Sequence, residues 1–219
     1  MDDIMRAVKN MYDESGEYFS KTREKKYGSK SSNWPITQKY LDELKIGQSV
    51  LDVGCGSGRL LSGLPNGVEY LGIDFSETLL KIARESYPER EFVLGDIADK
   101  NVWEGLSQYD AVFCVASLHH LPSRKLQLMV LREMKKVLKP GGFLFLSVWN
   151  LWSERMEKKL GGIYLVVGEM VEIPFDGKSG RHVMAMDEEY LTGLMSEAEW
   201  EVEVVENGSN WVMVARYAK

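Results

Sequence analysis

The chain has 219 residues, of which 44% are hydrophobic and 27% are charged. This length and composition are typical of one globular α/β domain and argue against a disordered or low-complexity protein. The formal net charge of −6 argues against a protein that grips nucleic acid over its whole surface, although a local basic patch remains compatible with it.

The start of the chain, MDDIMRAVKN, is too charged for a secretory signal. The longest apolar runs, such as AVFCVASL, are too short to span a bilayer, so we expect a soluble cytoplasmic protein without a membrane partner. Cys55 and Cys114 are expected to be buried reduced thiols. No CxxC pair is present, and no metal site is predicted.

Residues 1–45 precede the first predicted strand, and we expect them to form a cap across the ligand-binding edge of a sheet. Five apolar runs follow, separated by segments of helical character: SVLDVG, VEYLGIDF, REFVLGDI, YDAVFCVASL and GGFLFLSVW. Strands that alternate with helices predict βαβ units and a mostly parallel sheet. The first run enters a glycine turn that is predicted to lead into a helix.

Two of the connecting helices carry clear start signals. Ser76 and Ser123 each stand at an N-cap position before an amphipathic stretch. The second of these helices is predicted to end at Pro140, Gly141 and Gly142.

The alternation stops after Trp149. Residues 150–186 are predicted to form an insertion, with a helix and a hairpin-like piece, that sets substrate specificity. Asp187 then caps a last helix, and the turn NGSN joins a closing antiparallel strand pair within residues 187–219. No internal repeat is visible, and residues 1–219 are predicted to form one domain.

Three aspartates end the first three apolar runs and are equally spaced along the chain: Asp52, Asp74 and Asp96. In an open parallel sheet, ligands bind outside the carboxyl ends of the strands. Any one of these aspartates could be a helix or loop cap, but three at equal spacing favour a nucleotide-like cofactor. The stretch from Cys114 to Ser117 ends the fourth run at the same edge.

The glycine turn, GCGSGR, discriminates between cofactors. A dinucleotide fingerprint needs a third glycine where Arg59 stands, which disfavours NAD and FAD. No Gly-Lys-Ser/Thr follows the turn, so a phosphate-binding P-loop is absent as well.

The pattern LDVGCGSG resembles motif I of class I S-adenosylmethionine-dependent methyltransferases. YLGIDFS, VLGDI and LKPGGFLFL follow in that family's order, so the resemblance covers residues 48–149. It implies a Rossmann-like three-layer sandwich whose mostly parallel seven-stranded sheet has an antiparallel last strand. It also implies a cofactor-binding core at residues 46–149, with S-adenosylmethionine as cofactor and S-adenosylhomocysteine as product.

The resemblance implies a set of cofactor-binding residues: Asp52, Gly54, Cys55, Gly56, Asp74, Phe75, Asp96, Ile97, Val115 and Ser117. The two glycines would let the backbone approach the methionine part, where a Cβ would collide. Asp74 would accept both ribose hydroxyls, and Phe75 would cover one adenine face. Asp96 and the Ile97 backbone would contact adenine, and Asp52 would orient the loop or the cofactor ammonium.

A His119–His120 pair follows the fourth strand. His119 is the candidate catalytic base or a wall of the cofactor or substrate pocket. The alternative, which we favour for His120, is that these histidines shape the loop and satisfy backbone groups.

The flanks resemble the tRNA wobble-uridine methyltransferases that esterify 5-carboxymethyluridine. The matching residues are Tyr12, Phe19, Thr22, Arg23, Trp34, Pro35, the VWN at 148–150, Arg181, Asn210 and Trp211. The linker from Arg23 to Trp34 is longer than in that family, and Arg181 alone remains of its Arg-Tyr-Tyr-His stretch. The resemblance implies O-methylation of a carboxylate on a modified wobble uridine.

Arg23 is predicted to be catalytic and to hold the carboxylate of the substrate or of the cofactor. Trp34, Trp149 and Arg181 are further predicted substrate-binding residues, although each tryptophan alone could be a packing residue. The basic run KTREKKYGSK at 21–30 could hold phosphates or form a solvated loop.

Several alternatives remain open from the sequence. A small-molecule methyltransferase for a metabolite or quinone is the runner-up, and the acidic net charge favours it. A non-catalytic cofactor-binding scaffold and a dehydrogenase are weaker alternatives. The predicted partners are tRNA and a small activating protein, because wobble-uridine enzymes of eukaryotes work with a small zinc-binding activator.

Overall fold

The computed structural model describes residues 2–27, 34–175 and 180–217. The six helices of these ranges are α1 (Asp2–Tyr27), α2 (Pro35–Leu41), α3 (Glu77–Ser86), α4 (Arg124–Lys136), α5 (Glu154–Leu160) and α6 (Glu188–Glu197). The strands are β1 (Ser49–Val53), β2 (Glu69–Asp74), β3 (Glu91–Leu94), β4 (Tyr109–Val115), β5 (Leu138–Trp149), β6 (Met170–Pro174), β7 (Gly180–Met184), β8 (Val202–Asn207) and β9 (Asn210–Arg216).

Seven strands form one sheet in the order β3-β2-β1-β4-β5-β9-β8. The pairs among β1 to β5 are parallel, and β9 is antiparallel to both β5 and β8. The predicted Rossmann-like sheet with an antiparallel last strand is therefore confirmed. The chain order reverses between β1 and β4, which is where an open α/β sheet forms its ligand-binding crevice.

Both faces of the sheet are covered by apolar side chains, as a parallel sheet requires. One face packs against α4 and α6 in a cluster that includes Leu131, Met134 and Leu194, and the other packs against α2 through Tyr40 and Leu41. The central strands β1 and β4 are almost wholly buried, which explains their continuous apolar sequences.

The predicted N-caps are confirmed. The hydroxyl of Ser76 accepts a hydrogen bond from the Leu79 amide, and the hydroxyl of Ser123 accepts one from the Leu126 amide. The Asp187 carboxylate accepts from the Tyr190 amide at the start of α6.

Two boundaries differ from the sequence prediction. The glycine turn leads into a short 3-10 helix at Arg59–Gly63 instead of an α-helix, because Pro65 follows at once and cannot continue it. Helix α4 ends at Lys136, and Pro140 to Gly142 already belong to β5, with a register irregularity against β4. No helix in the described ranges is both long and apolar enough to cross a membrane.

The insertion after β5 contains α5 and the antiparallel hairpin β6–β7, which forms a separate two-stranded sheet. Helix α1 packs along α3: the Ser76 hydroxyl donates to the Asp13 carboxylate at 2.8 Å, and the Thr78 hydroxyl donates to the Asp13 carbonyl. These contacts place α1 across the carboxyl edge of β2.

Candidate active site

A cavity opens at the carboxyl edge of the sheet, between β1, β2 and β4. All ten residues that the sequence predicts to bind the cofactor line it: Asp52, Gly54, Cys55, Gly56, Asp74, Phe75, Asp96, Ile97, Val115 and Ser117. Trp34 and Trp149, two of the predicted substrate residues, line the same cavity. Sheet topology therefore brings these twelve residues together.

The two glycines after β1 have different roles. Both have positive φ, +75° at Gly54 and +55° at Gly56. A Cβ on Gly54 would fall on the Ser117 hydroxyl and 2.6 Å from the Ser117 Cβ, whereas a Cβ on Gly56 would meet nothing closer than Leu79 at 3.7 Å. Gly54 is thus required by packing against the β4 loop. Both glycines line the cavity, and their predicted role in making room for the cofactor stays a prediction.

Asp74 is the last residue of β2 and is 6% exposed. Its two carboxylate oxygens accept hydrogen bonds from the Gly56 amide at 2.8 Å and the Ser76 amide at 2.9 Å. Burial raises the pKa of Asp74 to about 6, and the two amides oppose that rise. Each oxygen keeps a lone pair that can accept a ligand hydroxyl.

Asp52 lies one strand over in β1 and is 3% exposed. Its carboxylate accepts a hydrogen bond from the buried Tyr70 hydroxyl at 2.9 Å. Burial raises the pKa of Asp52 to about 7, although the Tyr70 hydrogen bond lowers it. A buried carboxylate of this kind attracts a cation such as a ligand ammonium.

Asp96 and Ile97 follow β3. One Asp96 oxygen accepts from the Ala98 amide at 2.8 Å, which makes Asp96 a loop cap as well as a cavity residue. The Ile97 carbonyl accepts from the Trp103 indole, and this bond holds the loop in place. The thiol of Cys55 is buried and its pKa is raised well above its ordinary value by burial, so it is protonated.

The two histidines differ in position. His120 lines the cavity, whereas His119 does not and lies beneath Trp149, with 5.1 Å between the ring centroids. His119 is therefore not a wall of this cavity, and its predicted role at the substrate stays a prediction. The Trp149 amide donates to Nδ1 of His119 at 3.4 Å, so the neutral ring carries its proton on Nε2. Nε2 has no partner among the described residues.

His120 joins three elements. Its Nδ1 donates to the His182 carbonyl at 2.8 Å, so its Nε2 accepts from the Tyr12 hydroxyl at 3.0 Å. Burial lowers the pKa of His120 to about 4. Burial, together with the neighbouring His120 and the Arg181 charge, lowers the pKa of His119 well below its ordinary value. Both rings are neutral at physiological pH.

Arg181 lies in β7 and is 5% exposed. Its guanidinium lies between two aromatic rings, 4.5 Å from the centroid of Trp149 and 4.1 Å from that of Phe175. Arg181 does not line the cavity itself, because Trp149 lies between the Arg181 guanidinium and the cavity. A permanent cation is therefore held directly behind the cavity wall.

Helix α1 covers the cavity through Met5, Val8 and Tyr12, of which the sequence singled out Tyr12 alone. Met5 and Val8 recur at helical spacing and could have been found as an apolar face without a sheet partner. Arg23, Thr22 and Phe19 belong to α1, but their side chains lie outside the part of the chain that the structure describes. Lys30 lies outside the described residues altogether.

Residues 51–146 match the protein family described as Methyltransferase domain. A methyltransferase-family protein of Encephalitozoon cuniculi is 35% identical over 154 residues, which span 70% of this chain and 67% of the relative. The chain belongs to the S-adenosylmethionine-dependent methyltransferase family.

Other relatives carry the name of a tRNA enzyme. The tRNA (carboxymethyluridine(34)-5-O)-methyltransferase of Arabidopsis thaliana is 33% identical over 149 residues, which cover 68% of this chain and 34% of the relative. The chain thus spans about a third of that longer protein.

Solved methyltransferase structures share the fold. A Micromonospora echinaspora amino pentose methyltransferase with S-adenosylmethionine bound has a TM-score of 0.64 and 17% identity, over 92% of this chain and 96% of that one. A Haloferax volcanii protein solved in complex with the Trm112 methyltransferase activator has a TM-score of 0.68 and 16% identity, over 95% and 98%.

The cavity of this methyltransferase fits S-adenosylmethionine by the chemistry of its groups. Gly56 lines the cavity, and a Cβ there would meet no protein atom closer than Leu79 at 3.7 Å, which leaves room for a methionine part close to the backbone. The buried carboxylate of Asp74 and the half-buried carboxylate of Asp96 suit hydroxyl and amino donors, and the buried carboxylate of Asp52 suits an ammonium group. Phe75 and Ile97 supply apolar surface for a flat ring system.

Proposed function

We propose that this methyltransferase transfers a methyl group to a carboxylate oxygen of a modified wobble uridine in tRNA. The name of the Arabidopsis thaliana relative supports this substrate. The flanking residues of the resemblance also support it, because Tyr12, Trp34 and Trp149 line the cavity and Arg181 backs it.

The observation that carries the proposal is the set of ionisable groups around Trp149, where we propose that the methyl acceptor binds. His119 and His120 are the titratable groups next to Trp149, and both have lowered pKa values, so neither suits a base near neutral pH. A hydroxyl acceptor needs such a base, whereas a carboxylate acceptor is already ionised. The Arg181 cation behind Trp149 favours an anionic acceptor.

When bound, the cofactor supplies an electrophilic methyl group on a sulfonium sulfur. A carboxylate acceptor would take that methyl group without giving up a proton, so the chain would not need to supply a base. The protein would orient the two reactants. Gly56, Asp74 and Asp52 would hold the methyl donor, and Trp34 and Trp149 would align the methyl acceptor. Alignment of two reactants contributes about 7–11 kcal/mol in favourable cases.

Arg23 and Arg181 are proposed to hold the substrate carboxylate, Arg23 directly and Arg181 through the wall that Trp149 forms. The insertion 150–186 is proposed to set substrate choice, because its β7 carries Arg181 and its loop follows Trp149. An activating protein is proposed as a partner, since the Haloferax volcanii neighbour was solved with the Trm112 methyltransferase activator.

The test supplies methyl-labelled S-adenosylmethionine to the purified protein, with and without a co-expressed activator, in an extract that contains tRNA and metabolites. Label in tRNA that mild alkali releases is the expected result, because alkali cleaves a methyl ester. Label that enters small molecules alone would overturn the tRNA proposal in favour of a metabolite methyltransferase.

Substitutions then test the acceptor geometry. Arg181→Gln should raise the KM for tRNA while the Kd for S-adenosylhomocysteine stays unchanged, and Arg181→Lys should recover part of the loss. With both substrates saturating, kcat should be flat between about pH 6 and 8, because no group has to give up a proton. A kcat that falls along a single ionisation as the pH decreases would show instead that a base takes part in the reaction.

A further inference from the structure

One face of helix α1 forms part of the wall of the cofactor cavity. Met5, Val8 and Tyr12 recur at helical spacing and line the cavity together with the ends of β1, β2 and β4. The strand ends are fixed by the hydrogen bonds of the sheet, whereas α1 is not a member of the sheet. Helix α1 is therefore a part of the cavity wall that can move without disrupting the sheet.

Several contacts attach α1 to the β2–α3 side of the cavity. The Lys9 ammonium donates to the Phe75 carbonyl at 2.7 Å, and the Asp13 carboxylate accepts from the Ser76 hydroxyl at 2.8 Å. Leu79 of α3 adds apolar contacts in the cluster that it forms with α1. These contacts would keep α1 attached along α3 while its other side moves.

A buried hydrogen bond joins α1 to the loop after β4. The Tyr12 hydroxyl donates to Nε2 of His120 at 3.0 Å, and the two rings pack edge to face with 5.4 Å between their centroids. Nδ1 of His120 donates to the His182 carbonyl, which can only accept, so Nε2 is left as an acceptor for Tyr12. The hairpin β6–β7 thus fixes the histidine tautomer that binds α1.

The two sets of contacts place α1 across the end of β1. Strand β1 lies between β2 and β4 in the sheet, and the glycine turn that follows it lines the cavity. Helix α1 is attached beside β2 through Asp13 and beside β4 through Tyr12. A cofactor bound at the glycine turn is therefore covered by α1 while Tyr12 is bound to His120.

We propose that the Tyr12–His120 hydrogen bond holds α1 closed over the cavity and limits the rate at which S-adenosylmethionine and S-adenosylhomocysteine are exchanged. When the bond breaks, the Tyr12 side of α1 lifts while the α3 side stays attached. Both partners of the bond belong to the protein, so the bond stabilises the closed position whether the cavity is empty or filled. Tyr12 and His120 are thus positioning residues for any methyl acceptor, and this role does not depend on tRNA as the substrate.

The Tyr12→Phe variant tests this role, because it keeps the ring and removes the hydroxyl. Labelled S-adenosylhomocysteine is the probe, and rapid filtration measures its association and dissociation rate constants for the whole protein. We expect both rate constants to rise about 10-fold, the order of effect of one buried hydrogen bond, while the Kd stays nearly unchanged. A lost contact to the ligand would instead raise the dissociation rate constant and the Kd together.

The His120→Asn variant removes the same bond from its other end, since the shorter amide keeps a donor for the His182 carbonyl but has no acceptor at the Nε2 position. It should raise both rate constants to a similar extent, and the double variant should exceed neither single variant. Tyr18→Phe is the matched control and should behave as the wild type. Tyr18 is another tyrosine of α1, is 52% exposed and packs edge to face against Phe175.

Unchanged rate constants in Tyr12→Phe, or a raised Kd with an unchanged association rate constant, would overturn the inference. Equal changes in Tyr12→Phe and Tyr18→Phe would overturn it as well. Methyl label that enters small molecules instead of tRNA would overturn the proposed substrate and leave the role of Tyr12 and His120 intact. The two proposals therefore fail on different measurements.

Discussion

Replacing Gly54 with alanine should destabilise the protein much more than replacing Gly56. Both substitutions place a Cβ on a residue with positive φ, which costs about 1–2 kcal/mol for an L-residue. Only the Gly54 Cβ meets Ser117, at 2.6 Å from the Ser117 Cβ, and overpacking of this kind costs about 1–3 kcal/mol more. We expect a loss of about 2–5 kcal/mol for Gly54→Ala and about 1–2 kcal/mol for Gly56→Ala.

Urea unfolding followed by circular dichroism measures both losses. The Ser117→Gly substitution completes a double-mutant cycle with Gly54→Ala, because it removes the Ser117 atoms that collide with the new Cβ. By itself it loses the hydrogen bond that the Ser117 hydroxyl donates to the Gly54 carbonyl at 3.2 Å. Combined with Gly54→Ala, it should recover about 1–3 kcal/mol relative to the sum of the two single changes.

Affinity for S-adenosylhomocysteine should rank the two glycine variants in the opposite order, once the loss of folded protein is accounted for. Gly56 lines the cavity, whereas the added Cβ of the Gly54 variant meets Ser117, so the Gly56 variant should bind the ligand more weakly. Equal stability losses for the two variants, or strict additivity of Gly54→Ala with Ser117→Gly, would refute the packing argument.

Three further predictions concern buried ionisable groups. The affinity for S-adenosylhomocysteine should fall as the pH decreases through about 6, the pKa of Asp74. The Asp74→Asn variant should bind this ligand about 10-fold more weakly at neutral pH, and its affinity should not change over that pH range. Calorimetry at several pH values measures both affinities, and the same pH dependence in both proteins would contradict the prediction. The pKa of His120 is about 4 in the folded protein and 6.5 in the unfolded chain, so the unfolded chain binds the extra proton between these values. The free energy of unfolding should therefore decrease by up to about 3 kcal/mol as the pH falls from about 6.5 toward 4. In urea unfolding, His120→Asn should reduce this pH dependence, and an unchanged dependence would exclude His120 as its source. Tyr70→Phe removes the hydrogen bond that lowers the Asp52 pKa, so that pKa should rise above about 7. The affinity for S-adenosylhomocysteine at neutral pH should then fall. An unaltered affinity would show that Asp52 does not contact the ligand.

The sequence by itself determined ten of the residues that line the cavity between β1, β2 and β4. Apolar runs of strand length ending in Asp52, Asp74 and Asp96 predict parallel strands whose carboxyl ends share one edge, and a parallel sheet allows few other arrangements. The N-caps at Ser76, Ser123 and Asp187 were equally readable, because a cap is a contact between residues three positions apart.

Only the tertiary structure decided how the loops around the cavity pack against one another. Ser117 against Gly54, His120 against His182 and Tyr12 against His120 are contacts between residues 63, 62 and 108 positions apart. The local periodicity of the sequence does not predict such contacts. It also does not predict which of the two adjacent histidines faces the cavity. That choice follows from the 3-10 turn at Leu118–His120, which directs the two rings to different neighbours and buries both as neutral groups.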